Sequence, residues 1–368
     1  MKHAAKPLVG IFTRPIDQGT SGSGHHLHEI VRRVLALNDE FDIRLIHYAR
    51  TDRDVYAMAP EIIVPRNPLR AAAALRAYGF SVLHHSPLTV MSPILGLGAR
   101  RAATIHGAEP NLLPSYYSLP ARLHARLAKP VLARAMDRIF TVSETSKDYY
   151  VKHWGVDPAK VSVCYNAVGP SYRPGLDSSI VHSRLGIPGR YIFHVSKYSE
   201  RKNPDCLLAA FGELAGQSDF ADLSLVIAGS GWDNERVRAF TRARNLEGRV
   251  VCTGFTPEQD VAALLAGASA FAFPSRAEGF GMPNVEAMAC GCPVVTSRAF
   301  AIPEIVGDAA LLIDHPDDYR GLALALARIL REPALASELR TRGLERAARY
   351  SWDDSARTVL AGYRGLLA

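Results

Sequence analysis

Residues 273–295 read Phe273-Pro274-Ser275-Arg276-Ala277-Glu278-Gly279-Phe280-Gly281-Met282-Pro283-Asn284-Val285-Glu286-Ala287-Met288-Ala289-Cys290-Gly291-Cys292-Pro293-Val294-Val295. The apolar run from Ala268 to Phe273 predicts a buried strand, ended by Pro274 and Ser275. Gly279 and Gly281 bracket Phe280 in a loop whose backbone can approach a ligand closely. Pro283 suits the first helical position, Gly291 stops the helix, and a second strand follows over Pro293–Thr296. A helix started at Met282, Pro283 and Asn284 offers unpaired N–H groups and a positive dipole end, an anion site whose usual guest is phosphate. Two carboxylates share this site. Carboxylates repel phosphate, which suits Glu278 and Glu286 to accept from sugar hydroxyls instead. Singly, Glu286 would serve the helix dipole and Glu278 would be solvated. Together with the glycine loop they favour a sugar-nucleotide site.

The segment resembles the signature of retaining, nucleotide-sugar-dependent glycosyltransferases of family 4, whose two glutamates have seven residues between them, as here. The resemblance implies an α/β chain of the GT-B fold, two Rossmann-like domains facing across a cleft. It also implies that no metal or other cofactor is needed. It extends through Ile302-Pro303-Glu304-Ile305-Val306-Gly307 and is nearest to bacterial mannosyltransferase-like enzymes of surface polysaccharides.

A chain of 368 residues with 48% apolar content suggests two domains, each with a core. No stretch approaches the roughly 18 uninterrupted apolar residues of a membrane helix. The first seven residues lack a signal-peptide pattern, and five sparse cysteines suit reduced thiols, so a cytoplasmic protein is expected. Charge is uneven. Residues 1–170 hold 21 Lys/Arg and 13 Asp/Glu, net +8, whereas residues 171–368 hold 22 and 23, net −1. A basic half can meet nucleic acid, an anionic membrane or an anionic substrate, or be ordinary solvation. No nucleic-acid-binding motif is present.

In the first half, Leu8–Phe12 predicts a strand, Gln18–Gly24 a glycine loop and His28–Leu37 a helix. A dinucleotide fold fails here. No third glycine follows Gly22-Ser23-Gly24, and the next strand, Ile43–Ile46, ends on His47 and Tyr48 without an acid for ribose. The loop resembles the family's own glycine loop, so Gly22, Ser23 and Gly24 are expected to contact substrate. Further strands are predicted near residues 62–64, 81–84, 103–105, 138–142 and 161–164 with helices between them, a largely parallel sheet covered on both faces. His106 follows one of these strands. By itself it would be a satisfied hydrogen-bonder, but the resemblance places it near the donor sugar. Asp52-Arg53-Asp54 is a weak metal pattern. The stretch Ser115–Met136 sets Arg122, Arg126 and Lys129 beside Leu119, Leu123 and Leu127 at helical spacing. That reads either as a basic helix lying on a membrane or as an ordinary helix on the sheet.

Turn residues from Asn166 to Gly175 predict a linker. The expected domains are residues 1–170, on the acceptor side, residues 171–350, binding nucleotide sugar, and residues 351–368, a helix crossing back to the first. Beyond the strand Tyr191–Val195, Lys197 and the run Arg201-Lys202-Asn203 place cations at a carboxyl end, suited to diphosphate or simply solvated. The family pattern assigns Lys202, with Lys197, to the pyrophosphate. Relatives pair the base with backbone at the end of Arg249–Phe255, which points to Gly254 and Phe255. The implied reaction moves a hexose, mannose favoured, from a nucleoside diphosphate sugar to a hydroxyl of a glycan or lipid-linked acceptor, with retention. Glu286 would hold ribose, and Glu278 with His106 the donor sugar. The rivals are an epimerase or phosphorylase on the same fold and a non-catalytic nucleotide-sugar-binding protein.

Overall fold

Strands of four to six residues that are apolar at nearly every position cannot face water on either side, and they pair in parallel under helices. The computed structural model describes residues 5–17, 19, 22–94, 97–187 and 189–368. The chain divides into two units, one of residues 1–166 with 351–368, the other of residues 167–350.

Among the described residues, the first unit holds β1 (Leu8–Phe12), β2 (Asp42–His47), β3 (Glu61–Ile63), β4 (Val82–His85), β5 (Arg100–Thr104), β6 (Arg138–Thr141) and β7 (Val161–Val163). They form one parallel sheet in the order β3-β2-β1-β4-β5-β6-β7, reversing direction of growth between β1 and β4. One covering helix, Gly22–Leu37, buries Leu27, Ile30, Val31 and Val34, the three-and-four spacing of an apolar stripe. The last helix, Trp352–Leu367, packs on it and buries Ala356, Val359, Leu360 and Tyr363. Ser351 caps that helix, accepting from the Asp354 amide at 3.2 Å. Tyr363 closes the core. Its hydroxyl lies 2.6 Å from His84 Nδ1, and the other ring nitrogen meets Thr104 Oγ1 at 2.8 Å, so a fully buried histidine is satisfied on both sides.

Three expectations change. The helix predicted from His28 begins at Gly22, because Gly24 and His26 are buried and His26 packs against Trp352, tertiary contacts that override the glycines' loop preference. Between β4 and β5 no helix occurs among the described residues, where Pro87 and Pro93 interrupt the chain. The stretch Ser115–Met136 starts inside a 3-10 turn, Pro114–Tyr116, and continues as an α–π–α rod, Leu119–Leu123, His124–Ala128 and Lys129–Arg134.

The second unit has, among the described residues, β8 (Tyr191–Val195), β9 (Ser224–Ala228), β10 (Val250–Gly254), β11 (Ala270–Phe273), β12 (Val294–Ser297) and β13 (Ala310–Ile313). They are parallel in the order β10-β9-β8-β11-β12-β13. Helices Pro204–Ala215 and Tyr319–Arg331 cover one face, burying Leu207, Phe211 and Leu214 with Leu322 and Leu326 against Leu225 and Ile227.

Candidate active site

Sheet order reverses between β8 and β11, the kind of switch point outside whose strand ends ligands of parallel sheets bind. From β8 the chain passes Ser196, whose amide donates to Ala228 O at 3.0 Å and whose carbonyl accepts from Trp232 Nε1 at 2.7 Å. This tie requires glycine at 229. It has φ 115°, and a Cβ there would stand 2.0 Å from Ser196 O. The 3-10 turn Glu200–Lys202 follows. Asn203 then takes a left-handed conformation (φ 59°), held by donation from its Nδ2 to Pro316 O at 2.5 Å.

From β11 comes the second loop, and the two are stitched together. The Arg276 amide donates to Arg201 O at 2.9 Å, and Arg201 Nη1 donates to Ala277 O at 2.8 Å. At their junction Glu278, 8% exposed, gathers three donors on one oxygen: Lys202 Nζ, Arg201 Nη1 and Ser275 Oγ, each at 2.6 Å. Lys202 Nζ also lies 4.6 Å above the Phe273 ring. Burial pushes the Glu278 carboxyl up, but Lys202 and Arg201 outweigh it and hold the group down at about 2. The sequence reading gave Lys202 to diphosphate and Glu278 to sugar as separate contacts. The structure joins them in one ion cluster together with Arg201, which the sequence placed among the cations of the run Arg201-Lys202-Asn203 without a partner. Lys197 is exposed at the same strand end.

Gly281 caps the helix Met282–Ala289 in a left-handed conformation (φ 89°), with Met282 first and Pro283 second, one position later than predicted. The loop is expected to meet a ligand through its backbone, and the Phe280 side chain is buried. It is 3% exposed and packs edge-on against Tyr350 at 5.3 Å, which anchors the loop from beneath. Asn284 is wholly buried, and both polar atoms of its side chain lack a partner among the described residues. Such an amide is costly unless something bonds to it. Glu286, one turn into the helix, is partly buried. Desolvation, then Glu258, push its carboxyl up to about 7. Two glutamates eight positions apart therefore differ in opposite senses, one fixed as an anion and one poised near neutrality. At the end of β10, Gly254 (φ 68°) accepts from the Gly229 amide at 2.7 Å, and Phe255 stands 74% exposed beyond it.

In the first unit His106 sits just past β5, its ring edge-on to His26 at 4.7 Å and its Nε2 buried without a partner among the described residues. His26 Nδ1 lies 2.6 Å from Asn166 Oδ1, so Nδ1–H donates and Nε2 is left as the acceptor. Burial depresses both rings, His26 to about 4 and His106 well below its ordinary value, with mutual repulsion adding to the effect at His106. These are neutral imidazoles near pH 7. His26 escaped the sequence reading, though its phase with Ile30 and Val34 marked it as inward-facing. Gly22, Ser23 and Gly24 occupy the first turn of the helix Gly22–Leu37 rather than a loop, while Gln18, Thr20 and Ser21 lie outside the described residues. Asp54 accepts from His28 Nε2 at 2.6 Å, and among the described residues no group of His, Cys, Asp and Glu is arranged to hold a metal.

Residues 182–346 match the model of glycosyl transferases group 1, and residues 20–172 match that of glycosyltransferase family 4. The chain is a family 4-like glycosyltransferase. An O-antigen chain mannosyltransferase B of Escherichia coli is 25% identical over 96% of this glycosyltransferase and 98% of its own length. A D-inositol 3-phosphate glycosyltransferase of Acidothermus cellulolyticus is 30% identical over 64% of the chain and 54% of its own length. Among solved structures, the sucrose-phosphate synthase of Thermosynechococcus elongatus superposes with a TM-score of 0.78 at 19% identity, covering 98% of this chain and 99% of that one. Anabaena HepE in complex with UDP and glucose gives 0.76 at 19% identity, covering 96% and 98%. Both are of the GT-B fold, as is this glycosyltransferase. Among its described residues no helix is long and apolar enough to cross a membrane.

Proposed function

We propose that this glycosyltransferase moves a hexose, with mannose the favoured sugar, from a nucleoside diphosphate sugar to a hydroxyl of a glycan or lipid-linked acceptor, retaining anomeric configuration without a metal. The observation that carries the reading is the cluster Lys202–Glu278–Arg201 at the β8/β11 reversal, beside the helix capped by Gly281. Negative charge builds on the diphosphate as the anomeric bond breaks. Lys202, the exposed Lys197 and the loop and helix amides stabilise it, the kind of preorganised electrostatics that dominates catalysis. Glu278, kept ionised, accepts from hydroxyls of the transferred sugar, and Lys202 exchanges part of its hold on Glu278 for phosphate oxygen. Glu286 receives the ribose hydroxyls, the backbone at Gly254 meets the base, and Phe255 gives the base an apolar face. His106 contributes a neutral imidazole to the donor sugar. The leaving phosphate takes the acceptor proton on the face it departs from, so retention needs no carboxylate nucleophile.

Support comes from the mannosyltransferase name of the full-length relative and from the UDP and glucose in the HepE structure. The test is incubation of purified protein with GDP-mannose, UDP-glucose and ADP-glucose, with and without short mannosides. Donor consumption that requires a mannoside and yields the anomer of the donor supports the reading. Acceptor-free conversion of the donor would reveal an epimerase, a requirement for inorganic phosphate a phosphorylase, and binding without turnover of any donor a sensor.

A further inference from the structure

The rod between β5 and β6 carries an apolar ridge on its outside. Leu119, Leu123, Leu127 and Val131 are 61, 48, 62 and 55% exposed, while Ala125 and Ala133 face inward. Five of the sixteen large apolar side chains exposed among the described residues fall between Tyr116 and Val131, so the exposure is a patch and not scatter.

The π turn explains how the patch stays straight. In an α-helix each four-residue step overshoots a full turn by about 40°, so three steps would swing the row by about 120° onto the buried side. The π segment His124–Ala128 fits more residues into a turn and takes part of that rotation back. Leu123, His124, Ala128 and Lys129 all keep helical dihedrals, so the rod runs unbroken through both junctions.

Charge says what the ridge meets. Residues 115–136 hold four Lys/Arg and no acid. Arg122 and Arg126 are exposed beside the ridge, and Arg134 at its far end donates to Trp154 O at 2.7 Å. Lys129, expected on the basic face, turns inward instead, donating to Gly107 O at 3.1 Å with its ammonium 5.5 Å from the Trp154 ring centroid. A second copy on this ridge would bring Arg122 and Arg126 against their own counterparts. A row of leucines edged by arginines suits an interface whose polar layer is anionic and whose interior is apolar.

We propose that the ridge Leu119–Leu123–Leu127–Val131 inserts at the acyl boundary of an anionic bilayer while Arg122 and Arg126 bind lipid phosphates. This goes beyond the proposed transfer reaction. Vesicle binding needs no donor and donor binding needs no vesicle, so either reading can fail alone.

The experiment is co-sedimentation of the full chain with phosphatidylglycerol-containing and pure phosphatidylcholine vesicles, at low and high salt. Wild type binds the anionic vesicles, less at high salt. Arg122→Gln with Arg126→Gln weakens that binding about thirty-fold, following the lipid affinity of two basic residues. Leu123→Ser with Leu127→Ser abolishes it without changing donor affinity. As a second readout, Leu127→Trp shifts emission to the blue on anionic vesicles, a signal the three buried native tryptophans do not give. Absence of wild-type binding overturns the proposal. So does full binding by the leucine variant, which would mean adsorption by charge alone, or a dimer in light scattering that the leucine variant dissolves.

Discussion

Glu278 and Glu286 shift in opposite directions for physical reasons that make separate predictions. Glu286, raised to about 7 by desolvation and Glu258, must give up its proton to accept fully from the ribose hydroxyls that the proposed function assigns to it. Nucleoside diphosphate affinity should therefore rise as pH climbs through about 7, and Glu286→Gln should bind weakly with no such rise. Calorimetric titrations from pH 6 to 8 check both. The same shift has a stability consequence. The folded state holds a proton that the unfolded chain, with its ordinary carboxyl near 4.5, releases, so this contribution is full below 4.5 and is lost as pH rises to about 7. Glu278 behaves oppositely. Its contribution is present above the ordinary carboxyl value and lost as pH falls towards 2. Removing Glu278 also releases Lys202, so Glu278→Gln should reduce turnover at least ~100-fold while diphosphate affinity does not fall. Lys202→Ala should weaken a nucleoside diphosphate about ten- to hundred-fold, the worth of a charge-assisted contact of roughly 1.5–3 kcal/mol, and leave the bare nucleoside unchanged. Equal weakening of both would make the lysine a brace for Glu278 only.

At the scale of elements, the backbone around the site is built on close approaches that admit one residue type. Gly229→Ala drives a methyl into Ser196 O, so β8 and β9 must separate where the cation loop begins. Losing about 2 kcal/mol there would lower the melting temperature by roughly 4–8 °C. Nucleotide affinity should fall with it, and a thermal scan with and without nucleoside diphosphate measures both. This kind of detail divides what the sequence makes legible from what it hides. Strands are legible because Leu225, Val226 and Ile227 in a row have no other place than a buried sheet. The helix at Met282 is legible because Gly281 and Pro283 punctuate it. The helix at Gly22 is hidden, since Gly22-Ser23-Gly24 argues for a loop and only Trp352, far along the chain, argues otherwise. Lys129 is hidden too, because its partners Gly107 and Trp154 lie on other elements. Glu278 and Lys202 each stand out in the sequence as candidates, but their bond does not, as they are 76 positions apart.

At the scale of the whole molecule, the two units should be separable by where a substitution falls. Tyr363→Ala empties a fully buried volume between Phe41, Phe140 and His84 and strands a histidine nitrogen. We expect a loss of about 3–5 kcal/mol confined to the first unit. Nucleoside diphosphate binding, which the proposed function assigns to the second, should persist. Differential scanning calorimetry with and without nucleotide should show the first unit's transition lowered and the nucleotide-dependent transition in place.

The packing of Trp352–Leu367 on Gly22–Leu37 also bears on how the molecule is made. On a ribosome, polypeptide emerges at about 5–20 residues per second, and domains ordinarily complete themselves in the order they appear. Here the opening 166 residues lack their closing helix until everything after them has been translated. His84 waits for Tyr363 and His26 for Trp352, while residues 167–350 have all the strands of β8–β13 in hand and can fold first. The nascent chain therefore exposes an uncovered apolar face for the whole time the later unit takes to emerge. A chaperone that holds such faces would meet this protein during synthesis, before it ever meets the finished fold.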